Sequence, residues 1–207
     1  MVHGLPCPAH APSQALNVWP GVMTTRWPEA AALVAVLGGD GRSAEEILVP
    51  AIEAAAVRED TAWYAYLEVH RAEAALVAGE IDRALEFAKE AEQESLPGQS
   101  WIELYWQAAR AKGLARSGRA IEAEECVREP LELYETTDNL LVKGQLRLIL
   151  SEALALQGKL VDAERAASEA ASILTAKGAT LFVERAKTML SGIRNGGTAV
   201  TAPPFAG

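Results

Sequence analysis

The sequence is short of the residues on which most catalytic and metal chemistry depends. It has two cysteines, Cys7 and Cys126, and three histidines, of which only His70 lies beyond the first ten residues. Two cysteines so far apart make no disulfide framework and fit a reducing cytoplasm. His3, Cys7 and His10 form a Cys-x-x-His with a neighbouring histidine, but no fourth ligand stands nearby, so this stretch is read as an unstructured leader rather than a metal site. No His-Glu-x-x-His zinc pattern and no Gly-x-Ser-x-Gly elbow occurs. Gly113 and Gly118 have the spacing of a phosphate loop, but Arg119-Ala120 follows where Lys and Ser/Thr are needed, and Gly158-Lys159 is followed by Leu160. Gly38-Gly39-Asp40-Gly41 follows a helical run, not a strand, which argues against a dinucleotide site. The expectation is no cofactor, no metal and no enzymatic activity.

Positive charge is also scarce. With 19 Lys and Arg against 28 Asp and Glu, the formal charge is −9. No Lys/Arg cluster is present to neutralise phosphates, which argues against nucleic-acid partners and against an anionic membrane surface. The longest apolar run, Ala30 to Leu37, is too short to span a bilayer, and the amino terminus shows no basic n-region followed by an apolar h-region.

What the chain has instead is alanine, helix formers and a repeat. Gly39, Gly79, Gly118 and Gly158 stand 40, 39 and 40 residues apart. Seven residues before each stand Ala32, Ala72, Ala111 and Ser151, and five after each stand Ala44, Ala84, Ala123 and Ala163. Small residues at both positions let paired helices approach closely. Large apolar residues, Trp27, Leu67, Trp106 and Leu146, recur twelve before the glycine. Leu48, Ala88, Val127 and Ala167 recur nine after it, and Ala51, Ala91, Pro130 and Ala170 twelve after it. These columns have a helical period and mark a core that each unit buries on the next.

The units are read as helix pairs. The first spans Glu29 to Leu37 after Trp27-Pro28, then a helix opened by a capping box at Ser43-Ala44-Glu45-Glu46 and running to about Arg58, with a kink expected at Pro50. The second spans about Asp60 to Ala78 and Ile81 to Ser95, broken by Leu96-Pro97-Gly98. The third opens with a capping box at Ser100-Trp101-Ile102-Glu103, runs to Ser117, and continues from about Ile121 to Thr136 through Pro130. The fourth spans about Asn139 to Gln157 and Leu160 to Ala176, and a last helix, Leu181 to about Arg194, covers the end. Residues 1–24 and 195–207, rich in Pro and Gly, are read as disordered tails around a repeat domain at 25–194. The expected fold is all-α: a right-handed α-solenoid of four helix-turn-helix repeats with a C-terminal capping helix.

The small residue, the turn glycine and the alanine five later resemble the tetratricopeptide pattern. The unit is longer than the usual ~34 residues, and Ala35, Ala75, Leu114 and Leu154 replace the large aromatic often found four before the turn. Ala111 to Arg119 and Leu150 to Gly158 resemble the longer repeats at the carboxyl end of large bacterial signalling proteins, which carry an ATPase module with a nucleotidyl cyclase or a LuxR-type DNA-binding domain elsewhere in the chain. The resemblance covers residues 60–194. It implies a helical repeat array of a signalling regulator; none of those other activities carries over.

Trp63, Tyr64 and Tyr66 recur as Trp101, Tyr105 and Trp106, with Arg71 and Arg110 eight residues before their glycines. Aromatics and arginine dominate interface hot spots. Tyr66 and Tyr105 share the column thirteen before the glycine with Arg26 and Gln145, and in tetratricopeptide-like arrays that column faces the concave groove. The reading is a non-enzymatic protein–protein interaction module, regulatory or scaffolding, that binds a peptide or helix through Tyr66, His70, Arg71, Tyr105 and Arg110. The alternatives are a small-effector sensor and a self-associating homo-oligomer. Glu122, Glu124 and Glu125, like Glu45 and Glu46, are read as a solvated face, and Cys126 as a small buried hydrophobe.

Overall fold

In a computed structural model the described residues are 27–95 and 100–195, with the side chains of residues 100 and 101 outside the description. They form nine α-helices and no strand: α1 Trp27–Leu37, α2 Gly41–Val57, α3 Thr61–Ala78, α4 Ile81–Glu94, α5 Ser100–Arg116, α6 Ala120–Glu135, α7 Leu140–Leu156, α8 Leu160–Lys177 and α9 Thr180–Arg194. The tail expected at 1–24, the tail expected at 195–207 apart from Asn195, the His3/Cys7/His10 group and the break at 96–98 lie outside the described residues, as does the capping side chain of Ser100.

One turn recurs at every Gly of the repeat. Gly39, Gly79, Gly118 and Gly158 take φ values of 81°, 80°, 83° and 76°, a left-handed conformation that a Cβ disfavours. The next amide in each turn, at Asp40, Glu80, Arg119 or Lys159, donates back to the carbonyl of Ala35, Ala75, Leu114 or Leu154 at 2.9–3.0 Å. The helix ends and its partner starts with only two or three residues between them. Gly178, with φ 77°, repeats the turn between α8 and α9.

This tight turn corrects the start of α2. The helix begins at Gly41, not Ser43, and its cap is Asp40, whose Oδ1 accepts from the Ser43 amide at 3.0 Å. Asp60 and Asn139 cap α3 and α7 in the same way through the amides of Trp63 and Val142. Pro50 and Pro130 lie inside continuous helices.

The small columns are buried to the last member: Ala32, Ala72, Ala111 and Ser151 on the first helices, and Ala44, Ala84, Ala123 and Ala163 on the second. The Ser151 hydroxyl donates to the Ala163 carbonyl at 2.7 Å, so its polarity is satisfied inside the α7–α8 seam. The large column holds for Leu67 and Leu146, which are buried, and for Trp106, which is half-buried against the Val69 and Ala72 cluster. It fails for Trp27, which is 61% exposed, because no described helix packs in front of α1.

The contacts between helices set the curvature. Each helix packs on its sequence neighbours, and the first helices of successive pairs also touch: α1 on α3, α3 on α5, α5 on α7, α7 on α9. Among the described residues the second helices, α2, α4, α6 and α8, do not pack on one another; only side chains reach between them, as Arg83 of α4 does to Glu45 of α2. First helices in mutual contact form the tighter, inner side of the array, and separated second helices form its outer side.

Charges that were read as a solvated face in fact bridge the outer helices. Glu124 is only 6% exposed. Its carboxylate accepts from Gln157 Nε2 at 2.8 Å, from Lys159 Nζ at 2.9 Å and from Arg128. Glu45 accepts from Arg71 at 3.1 Å and from Arg83 at 2.6 Å, tying α2 to α3 and α4. Only Glu46, Glu122 and Glu125 remain exposed. Cys126 is half-buried, its thiol 3.5 Å from the Gln107 carbonyl, and burial pushes the thiol pKa up and away from reactivity.

Candidate functional site

The inner side is built by α1, α3, α5, α7 and α9, and two kinds of side chain collect on it. Toward the start of the array is an aromatic patch. Tyr66 of α3 sits at its centre and donates its hydroxyl to Glu29 of α1 at 2.5 Å. Its ring meets His70 edge-on at 4.6 Å between centroids, Trp63 at 5.3 Å and Tyr105 of α5 edge-on at 5.8 Å. Tyr66 and His70 are four residues apart and therefore share one face of α3, while Tyr105 brings α5 to the same place. All four rings are half-buried.

His70 also approaches Glu29, with Nε2 3.9 Å from Oε1. That is beyond hydrogen-bond distance, and Nε2 is a buried nitrogen without a hydrogen-bond partner. Burial holds the imidazole below its ordinary pKa, although Glu29 and Glu73 pull the other way. Neutral imidazole is the resulting form near pH 7. Burial likewise raises the Tyr105 phenol.

Toward the other end of the same side runs a ladder of charges. Lys112 of α5 donates to Glu73 of α3 at 2.5 Å. Arg116 of α5 and Arg185 of α9 flank Glu152 of α7, at 3.7 Å and 4.0 Å. Burial opposes ionisation of Glu73, but Lys112, Arg185 and Arg116 outweigh it and hold that carboxyl below the ordinary range. Three cations against two carboxylates leave one positive charge in excess along this part of the inner side.

The structure thus brings Tyr66, His70 and Tyr105 together and holds the two predicted arginines elsewhere. Arg71 lies one residue round the helix from His70. It bonds Glu45 and Glu68 and stacks over the Phe87 ring at 4.0 Å. Arg110 is exposed and pairs with Glu92 of α4 at 3.3 Å. Both belong to seams between α3, α5 and the outer helices. Lys112, Arg116, Glu152 and Arg185 were missed. A signal was present: six before the glycine, successive units read Leu33, Glu73, Lys112, Glu152, an alternation of charge between neighbouring helices.

Among the described residues no group of three or more His, Cys, Asp or Glu is placed to hold a metal ion. No described helix is long and apolar enough to cross a membrane.

No family model and no curated protein matches the sequence. Among solved structures, the chain is similar to the crystal structure of Bacillus thuringiensis PlcR in complex with the peptide PapR7 and DNA, with a TM-score of 0.72 at 12% sequence identity. The match covers 87% of this chain and 65% of that one, so this chain spans less than two thirds of the length of that protein. At that identity the likeness shows the fold: a tetratricopeptide-like helical repeat array.

Proposed function

We propose that the chain is a non-enzymatic interaction module, regulatory or scaffolding, that holds a peptide or helix along its inner side. The observation that carries this reading is the aromatic patch of Trp63, Tyr66, His70 and Tyr105, which α3 and α5 assemble next to the charged ladder. Half-buried aromatic rings give a ligand apolar contact at low entropic cost, and the adjacent charges fix its direction. The PlcR structure, with the same fold, contains a peptide, which supports a peptide ligand here. It also contains DNA, so it lends nothing to the exclusion of nucleic acid drawn from net charge, and the proposal concerns the peptide alone. Tyr66, His70 and Tyr105 stay as contacts, joined by Lys112, Arg116 and Arg185. Arg71 and Arg110 leave the set because they pair with Glu45 of α2 and Glu92 of α4, at the seams with the outer helices, rather than across the inner side.

A displayed library of short random peptides, selected on the folded chain, tests the reading. Selected peptides should lose at least about tenfold in affinity for a Tyr66→Ala/Tyr105→Ala variant, the ~1.4 kcal/mol expected for deleting hot-spot rings. Their amide shift changes should fall on α3, α5 and α7. Peptides that bind the folded variant as well as the parent, or that map to α2, α4, α6 and α8, would refute it.

A further inference from the structure

The charges along the inner side are joined to different degrees. Lys112 Nζ and Glu73 Oε1 are 2.5 Å apart, and elsewhere Arg165 and Arg194 reach their carboxylates at 2.7 Å. Around Glu152 the pairing stops short. Arg116 Nε of α5 is 3.7 Å from one oxygen, and Arg185 Nη2 of α9 is 4.0 Å from the other. Both exceed hydrogen-bond distance. Among the described residues, these three side chains each hold a buried atom without a hydrogen-bond partner: Glu152 Oε1, Arg116 Nε and Arg185 Nε. Glu152 is only 3% exposed, while 17% of the Arg116 side chain and 22% of the Arg185 side chain stay open to solvent. Arg116 Nη1 donates to the Leu76 carbonyl at 2.9 Å, which holds that guanidinium in place. Buried polar atoms left unpaired are costly, so a group that pairs them binds strongly.

We propose that Arg116, Glu152 and Arg185 form a subsite for an uncharged carboxamide, the side chain of an Asn or Gln on the ligand, a proposal that rests on the reading of the inner side as a peptide site. Arginine offers only donors and a carboxylate only acceptors, so the entering group must accept and donate at once. A ligand carboxylate would bond the arginines but set a second negative charge against buried Glu152. An ammonium would bond Glu152 but add a third positive charge. An apolar group would leave all three atoms unpaired. An amide does both and adds no charge, and it carries acceptor and donor on separate atoms, which suits partners on three different helices. Depth favours a side chain over the main chain. Glu152 is more deeply buried than either arginine, and a flexible stem reaches it where a backbone laid along the surface does not. No hydrogen bond ties Arg185 to Glu152, so Arg185 can turn aside to admit the amide.

The probes are peptides selected on the parent chain and kept only where Tyr66→Ala/Tyr105→Ala weakens them. Selected peptides that bind without those rings would refute the inner-side reading and this proposal with it. In each retained peptide every Asn and Gln is changed in turn to Asp or Glu, and binding is measured by titration calorimetry. One such change should weaken binding to the parent at least about tenfold. On Glu152→Gln the order of that pair should reverse, the acidic peptide binding the tighter, because the arginines have lost their anion; misfolding cannot produce a reversal. If Glu152→Gln does not fold by circular dichroism, Arg185→Gln decides. It should cost the amide peptide at least about tenfold and the same peptide with Ala at that position nothing. Retained peptides without Asn or Gln, equal binding of amide and acid forms to the parent, an unchanged order on Glu152→Gln, or an equal cost of Arg185→Gln to both peptides would overturn the proposal and leave the inner-side reading in place.

Discussion

Glu68 offers a test of the structure in which removing a charge should stabilise the protein. It lies mid-way along α3 with 0% exposure. Arg71 Nη1 stands 3.4 Å from one oxygen, and the other, Oε2, is buried without a hydrogen-bond partner. Burial is the largest influence on this carboxyl; Glu90 and Glu45 reinforce it, Arg71 opposes it, and the pKa rises from 4.5 to about 7. Below pH 4.5 the group is protonated whether the chain is folded or not. As pH rises past 4.5 the unfolded chain releases the proton while the folded chain keeps it until about 7, so stability falls across that window and stays lower above it. At about 1.4 kcal/mol per pH unit, the full effect is about 3 kcal/mol. Glu68→Gln keeps the shape and an acceptor for Arg71 but cannot ionise. After allowance for the weakened Arg71 pair and a buried amide, the variant should be more stable than the parent by about 1–2 kcal/mol at pH 8. At pH 4.5 the two should coincide. Urea unfolding followed by helical circular dichroism at pH 4.5, 6, 7 and 8 measures this, and about 2–4 °C in melting temperature per kcal/mol is a second readout. A variant less stable than the parent at pH 8, or a difference that does not change with pH, would refute the reasoning.

The opposite behaviour is expected of Glu124. Burial opposes its ionisation, but bonds from Lys159, Gln157 and Arg128 outweigh it and bring the pKa from 4.5 to about 2. Its contribution is complete above pH 4.5 and disappears as pH falls towards 2, so Glu124→Gln should cost about 2 kcal/mol in urea unfolding at pH 7 and progressively less in acid. Gly41→Ala should cost about 2–3 kcal/mol, because the new methyl runs into the Ala74 carbonyl and lies 2.7 Å from the Ala78 amide nitrogen, backbone that cannot step aside. Gly158→Ala, with nothing within 4 Å but a φ of 76°, should cost only about 1 kcal/mol, the price of the left-handed backbone. Comparing the two melting curves separates crowding from strain.

The repeat was legible because one backbone event recurs. A left-handed residue ends each first helix, glycine fills it at the least cost, and the packing of the two helices then demands small residues at fixed offsets on either side. Ala32 to Ser151 and Ala44 to Ala163 follow from that geometry, so their columns survive in the sequence. The charges were not legible for the converse reason. Glu45 with Arg83, and Glu124 with Lys159, are 38 and 35 residues apart, in different units, and neither pair recurs in the other turns. A carboxylate on a helix looks solvated until the neighbouring unit is placed over it. The cap at Asp40 was missed because Ser43-Ala44-Glu45-Glu46 also fits a capping pattern, and only the immediate restart after Gly39 decides between them. Glu59, which takes φ 56° at the turn before α3, fills a left-handed position with no glycine to announce it.

The same contrast between repetition and exception argues for where recognition lies. Positions that build the array must repeat, since every unit meets the same neighbour; positions that read a ligand need not, since the ligand does not repeat. The column thirteen before the glycine is Tyr66 and Tyr105 in the second and third units and Gln145 in the fourth, so its aromatic character is confined to one stretch of the inner side. The column six before it changes sign from Glu73 to Lys112 to Glu152. A ligand laid across α3, α5 and α7 therefore meets rings at one level and alternating charge about two helical turns further along the same helices. Such a surface distinguishes the two directions of a peptide, because reversing it sets apolar side chains against Arg116 and Arg185. Among peptides selected on the parent, reversed sequences should bind at least about tenfold more weakly, a difference of ~1.4 kcal/mol that titration calorimetry resolves. Equal binding of forward and reversed peptides would show that the rings act alone and that the charges serve only to join the helices.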